Sequence, residues 1–87
     1  MKLRPDHQLR RVIAENVRNR REALGITLRD LGIAVSMSHA RISQLEHFRG
    51  AVPSDLVALL AEALDTQPSI LLTPRAFAGD KKLSDSA

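Results

Sequence analysis

TLRDLGIAVSMSHARISQLEH, residues 27–47, decides how this chain folds. Its apolar residues recur at helical spacing in two short runs, Leu31 with Val35 and Ile42 with Leu45. Only Ser36 and Met37 lie between the runs and their flanking polar residues, which leaves room for a tight turn and nothing longer. Thr27 and Ser38 each stand where a helix begins, and a short hydroxyl side chain there accepts a hydrogen bond from a free backbone N–H. Asp30, three residues after Thr27, is a short version of the capping-box acid. The stretch predicts one helix over Leu28–Val35 and a second over roughly His39–His47.

The second helix has an unusual outer side. Ile42 and Leu45 face inward, while His39, Ala40, Ser43 and Gln44 fall elsewhere. A solvated face of a charge-rich protein normally carries Lys and Glu. Short and amide side chains suit a different neighbour, the major groove of DNA, which is about 12 Å wide and admits one helix. Gln is bidentate to adenine, Ser donates or accepts, and Ala touches a thymine methyl. His39, at the helix start, is placed for a guanine or a phosphate. Two short helices joined in this way form a helix-turn-helix, whose second helix enters the groove while the first crosses the backbone. The plain alternative is a neutral solvent face.

The pattern continues outward on both sides. Leu9, Ile13, Val17 and Leu24, flanked by Val12, predict a helix over residues 6–24. Pro5 fits its first turn, and Gly25 fits its end. Phe48–Val52, containing Gly50, reads as a loop. Pro53, Ser54 and Asp55 open a fourth helix that runs to about Leu64 and is apolar at Leu56, Val57, Leu59, Leu60, Ala63 and Leu64. Pro68 opens a short fifth helix holding Ile70, Leu71 and Leu72, and Pro74 stops it. Residues 75–87 mix Gly, Lys, Asp, Ser and Ala and predict a disordered, flexible tail. No stretch alternates as a strand does. The expectation is an all-α fold, a compact five-helix domain over residues 1–74.

Composition narrows the function. The 87 residues make one small domain. Phe48 and Phe77 are its only aromatic residues, which disfavours a base-stacking platform for single strands. It has no cysteine, so disulfides, thiolate metal sites and thiol nucleophiles are excluded. The net charge of +3 is mild but uneven: +4 over residues 1–26, −2 over 27–74 and +1 over 75–87. The positive charge is mostly Arg, whose fork matches phosphate oxygens. Neither a signal-peptide run nor an apolar stretch of roughly 20 residues is present, which reads as a soluble, cytoplasmic protein. His39 and His47 are too far apart along one helix to share a metal ion. With no Gly-rich phosphate loop and no oriented nucleophile–base pair, neither an enzyme nor a cofactor is expected.

VRNRREALGITLRDLGIAVS, SHARISQLE and LVALLAEALDTQPSILL together resemble the lambda-repressor/Cro-type helix-turn-helix proteins, the XRE family, over residues 13–72. The ordered set runs from Leu24-Gly25 through Ile42-Ser43 and Glu46 to Ala63-Leu64 without gaps. The resemblance implies a lambda-repressor-like fold and a regulator that binds double-stranded operator DNA. It implies a structural salt bridge between Arg21 and Glu46, and base reading by His39, Ala40, Ser43 and Gln44. Thr27, Arg29, Ser38 and Arg49, at helix starts or in the following loop, and Arg41 beside the groove face are expected at phosphates. Family members commonly dimerise through C-terminal helices, which here nominates Ile70, Leu71 and Leu72. Four positions depart from the pattern. Gly32 replaces a usual Ala, at a propensity cost of roughly 1 kcal/mol. Ser36 replaces the turn Gly, Leu28 replaces a phosphate-binding Gln, and the loop Gly is displaced to Gly50.

The expected function is therefore a dimeric, sequence-specific transcriptional regulator, a repressor at a palindromic operator. The competing class is a protein-interaction module on the same fold, such as an antitoxin or a regulatory subunit. Its protein partner would use residues 1–12 or 75–87.

Overall fold

The computed structural model describes residues 5–47 and 52–78. Five helices follow in chain order: α1 Pro5–Leu24, α2 Leu28–Val35, α3 His39–Glu46, α4 Ser54–Ala63 and α5 Pro68–Leu71. No strand occurs among the described residues, and none of their helices is long and apolar enough to cross a membrane. The helices coincide closely with the sequence reading. Leu72 caps the single turn of α5 rather than lying inside it.

The helices share one core. α1 contributes Ile13, Ala14 and Val17; α2 contributes Leu31 and Val35; α3 contributes Ile42 and Leu45. From α4 come Leu56, Val57, Leu60 and Ala61, with Leu64 just beyond its end, and from α5 comes Leu71. α2 packs on α3 and α4, while α1 crosses α3 and α5. Leu9 and Leu24, both on the apolar stripe read in the sequence, are exposed. At 20 residues, α1 is about 30 Å long, so its ends overhang shorter neighbours. Leu59 is exposed because the buried face of α4 follows residues 56, 57, 60, 61 and 64.

Three helices end in the same way. Gly25, Ser36 and Asp65 adopt left-handed backbone angles, with φ of 72°, 61° and 55°. The following N–H closes a six-residue ring at each end: Ile26 to the Arg21 carbonyl at 3.0 Å, Met37 to Gly32 at 2.7 Å and Thr66 to Ala61 at 2.9 Å. These bonds satisfy carbonyls that a helix end otherwise leaves open. Only the first of the three ends uses glycine. Ser36 and Asp65 hold a conformation that costs a residue with a Cβ roughly 1–2 kcal/mol.

Gly32 has a reason beyond propensity. A Cβ built on it collides with the Met37 carbonyl oxygen and stands 3.4 Å from the His39 nitrogen. The turn folds back against α2 at that point, so α3 starts almost in contact with the α2 backbone. The apparent propensity penalty is what permits the α2–α3 approach.

The packed unit also runs past residue 74. Phe77 is 7% exposed and belongs to the core, which corrects the domain boundary read from the sequence. The apolar ring of Phe77 lies three residues past the expected boundary, within a stretch whose composition is otherwise that of a polar tail. Two side chains of α1 secure this segment. Buried Asn16 donates from Nδ2 to the Leu71 carbonyl at 2.7 Å and the Thr73 carbonyl at 2.8 Å. Arg20 donates to the Leu64 carbonyl at 2.9 Å and the Asp65 carbonyl at 3.3 Å, and its guanidinium lies 5.3 Å from the Phe77 ring centroid. The remainder of the expected tail, residues 79–87, lies outside the described residues.

Two substitutions test the turn. Gly32→Ala, despite alanine's higher helix propensity, lowers stability by about 1–3 kcal/mol through overpacking against the turn. Ser36→Gly raises it by about 1 kcal/mol, the left-handed penalty less glycine's greater chain entropy. Urea denaturation of both variants beside the parent reads the two opposite signs.

Candidate nucleic-acid interface

The site is built on α2, the turn and α3. Thr27 Oγ1 accepts from the Asp30 N–H at 3.0 Å, and Ser38 Oγ accepts from the Arg41 N–H at 3.1 Å. Both hydroxyls therefore serve as caps, and each keeps its own O–H for another acceptor. Thr27, Arg29 and Ser38 are exposed. Leu28, where the family carries a phosphate-binding Gln, packs against the core instead.

α3 is oriented by an ion pair to α1. Arg21 donates from Nε to Glu46 Oε2 at 2.7 Å and from Nη2 to Oε1 at 3.1 Å. Its remaining nitrogen, Nη1, donates to the Ile26 carbonyl at 2.9 Å. The Glu46 side chain is 4% exposed, so its charge depends on this fork for compensation. The Arg21 pKa is raised above its ordinary value chiefly by the hydrogen bond to Glu46. Burial opposes the rise, and the charges of Glu46 and Glu22 add to it.

With α3 held, its two sides separate. At about 100° per residue, His39, Ser43, Ala40 and Gln44 fall within one arc of about 140°. His39, Ala40 and Gln44 are exposed, and Ser43 is half-buried. Ile42 and Leu45 occupy the opposite side and are buried, and Glu46, beside the His39 edge of the arc, is buried against Arg21. Arg41 lies off the stripe and is half-buried. Arg49 lies outside the described residues.

The basic residues of α1 divide into two groups. Arg18 pairs with Glu22 at 3.4 Å and Arg11 with Glu15 at 4.0 Å. Arg20 and Arg21 turn inward. Arg20 and Arg21 are thus engaged within the fold, while Arg11 and Arg18 pair at the surface.

The three residues nominated for dimerisation also divide. Leu71 is 0% exposed and fills the core, so it is not part of a free apolar face. Ile70 is 40% exposed and Leu72 39%. Three consecutive residues point in different directions from a helical turn, and the middle one meets α1. Leu72 borders a recess of about 260 Å³ lined also by Leu9, Ile13, Val52, Val57 and Pro68.

Sequence reading missed the structural roles of Asn16, Arg20, Phe77 and His47. Asn16 falls on the same helical face as Ile13 and Val17, and a polar side chain at a core position was the available signal. The sequence reading places His47 at the helix end and sets it aside as a metal ligand. Its ring Nδ1 lies 2.7 Å from the Ser43 carbonyl oxygen, and the residue is exposed. Among the described residues no group of three His, Asp or Glu side chains is placed to hold a metal ion.

A family model described as a helix-turn-helix domain matches residues 12–70. Two crystal structures of the clp gene regulator ClgR from Corynebacterium glutamicum resemble this one. One has a TM-score of 0.73 and 32% identity, covering 94% of this chain and 85% of that chain. The other has a TM-score of 0.72 and 33% identity, covering 84% and 91%. No curated protein matches the chain.

The ion pair yields a direct test. Glu46→Ala leaves Arg21 without its carboxylate and lowers the unfolding free energy by roughly 3–5 kcal/mol, the cost of breaking a buried pair from one side. Chemical denaturation of the variant measures it. A loss below about 1 kcal/mol, as at an exposed pair, would show that the fork does not hold α3.

Proposed function

The chain belongs to the helix-turn-helix domain family, and from that premise we propose that it is a transcriptional regulator that binds a specific double-stranded DNA operator in the cytoplasm. The observation that carries the reading is the α3 face. A helix clamped from behind by a buried ion pair presents His39, Ala40, Ser43 and Gln44 on one arc, with no acidic side chain among them. In the major groove these residues meet base edges, Gln44 foremost as a bidentate partner of adenine. Thr27, Ser38, Arg29 and Arg41 flank the face and take phosphates, with Arg49 from the following loop. The free N–H groups of α2 and α3 add to the attraction for phosphate. The similarity to a gene regulator over most of the chain supports the same assignment. Binding is the whole activity, and the protein is not an enzyme.

The operator is a palindrome and the regulator a dimer on this reading. Leu72, at the rim of the recess, and the exposed Ile70 supply the contact between copies. Two-fold symmetry sets two α3 helices about 34 Å apart, one turn of DNA. Occupancy of such a site represses wherever it overlaps a promoter.

Selection from random duplex DNA by the purified chain enriches a palindrome with half-sites about one turn apart. Gln44→Ala costs about 1–3 kcal/mol at one position of each half-site and leaves non-specific binding nearly intact. If no sequence is enriched by a chain that stays folded, the interaction-module reading replaces this one. Leu72→Asp shifts the sedimentation of the chain toward monomer. It also weakens binding to the full palindrome far more than binding to an isolated half-site.

A further inference from the structure

His47 stands at the end of α3, where a helix normally presents only its carbonyls. Counted from His39 at about 100° per residue, it falls near 80°. That is the middle of the arc, between Ser43 near 40° and Gln44 near 140°. It is exposed. The eight residues of α3 span about 12 Å, the width of the major groove, so the last turn remains within reach of the same groove that the first turn enters.

The ring is also oriented. Its Nδ1 lies 2.7 Å from the Ser43 carbonyl oxygen. A carbonyl only accepts, so Nδ1 carries the proton. In the neutral imidazole this leaves Nε2 as a bare acceptor on the far side of the ring. A phosphate oxygen is the wrong partner for it, because two acceptors face each other and the negative end of the helix dipole repels the phosphate further. What an acceptor meets productively in the major groove is an exocyclic amino group, N6 of adenine or N4 of cytosine.

We propose that His47 is a further base-reading residue of the α3 face, accepting at Nε2 a hydrogen bond from the exocyclic amino group of an adenine or cytosine. This rests on the regulator reading above. It adds a contact at the end of the helix away from His39, with a chemistry that the Ser43 carbonyl imposes.

The test is site selection from random duplex DNA by the full chain, by His47→Ala and by His47→Gln. The parent requires adenine or cytosine at one position of each half-site. His47→Ala loses the preference at that position alone and binds the parent's site roughly ten- to a hundredfold more weakly, with affinity for random duplex unchanged. His47→Gln, whose amide oxygen replaces the Nε2 acceptor, keeps a preference for adenine there. A selected site that His47→Ala leaves unaltered overturns the proposal and spares the regulator reading. So does an equal loss on every duplex, which marks a phosphate contact. A parent chain that selects no sequence overturns both. Nitrogen-15 spectra of the free chain give a readout independent of DNA: the proton sits on Nδ1 of His47, and a ring protonated at Nε2 instead overturns the proposal.

Discussion

The Arg21–Glu46 fork is the constraint on which the site depends. Arg21 belongs to α1, yet its five donors reach two other places. Two nitrogens close on Glu46 of α3, and the third meets the Ile26 carbonyl in the turn before α2. The Arg21 carbonyl meanwhile accepts the Ile26 N–H that ends α1. One residue thus fixes the end of the first helix, the entry to the second and the roll of the third. Rotation of α3 by even a part of a turn would expose a carboxylate and bury polar groups that have no partner. Such a rotation is disfavoured twice, by the desolvated charge and by the loss of Ile42 and Leu45 from the core. A face made of short side chains has little reach of its own, so its position must come from behind.

The turn between α2 and α3 is the second fixed point, and it is fixed by steric fit rather than by charge. Met37 returns so close to Gly32 that only a hydrogen fits between them. Ser36 then takes the left-handed angle that lets the chain reverse. The fold therefore carries strain at Ser36 and close packing at Gly32 within one turn of each other. Both serve the distance between the two helices. Thr27 and Ser38 cap these helices from outside, so the motif is bounded at each N-terminus by an oxygen and at the α2 C-terminus by a tight ring of hydrogen bonds.

Much of this was legible in the sequence, because it rests on local rules. Helix boundaries follow from spacing, hydroxyl caps and Gly25. The meeting of Arg21 and Glu46 followed from the family pattern, since 25 residues separate them and no local rule joins them. Gly32 was visible as an exception, but its cause was not: propensity scores the helix alone, and the Met37 carbonyl arrives from outside it. Asn16, Arg20 and Phe77 were missed for the same reason. Their partners lie more than 40 residues away and are mostly backbone carbonyls, which leave no mark in a pattern of side chains. Leu71 was misread because three consecutive apolar residues on one helical turn cannot share a face. One of them had to point inward.

The division of the arginines bears on how such a protein balances affinity against selectivity. The positive charge of the sequence is concentrated at its N-terminal end. In the structure Arg20 and Arg21 serve the fold, while Arg11 and Arg18 lie beside glutamates. On the proposed reading, phosphate contacts fall mainly to a few groups around α2 and α3, with capping hydroxyls and helix N-termini among them. Sequence-independent attraction grows with each phosphate neutralised, whereas base contacts discriminate between sites. A chain that spends its arginines internally lowers the first term and leaves the second to the α3 face. On the proposed reading, the structural use of Arg20 and Arg21 thereby favours selectivity: side chains that secure the core are not offered to phosphates.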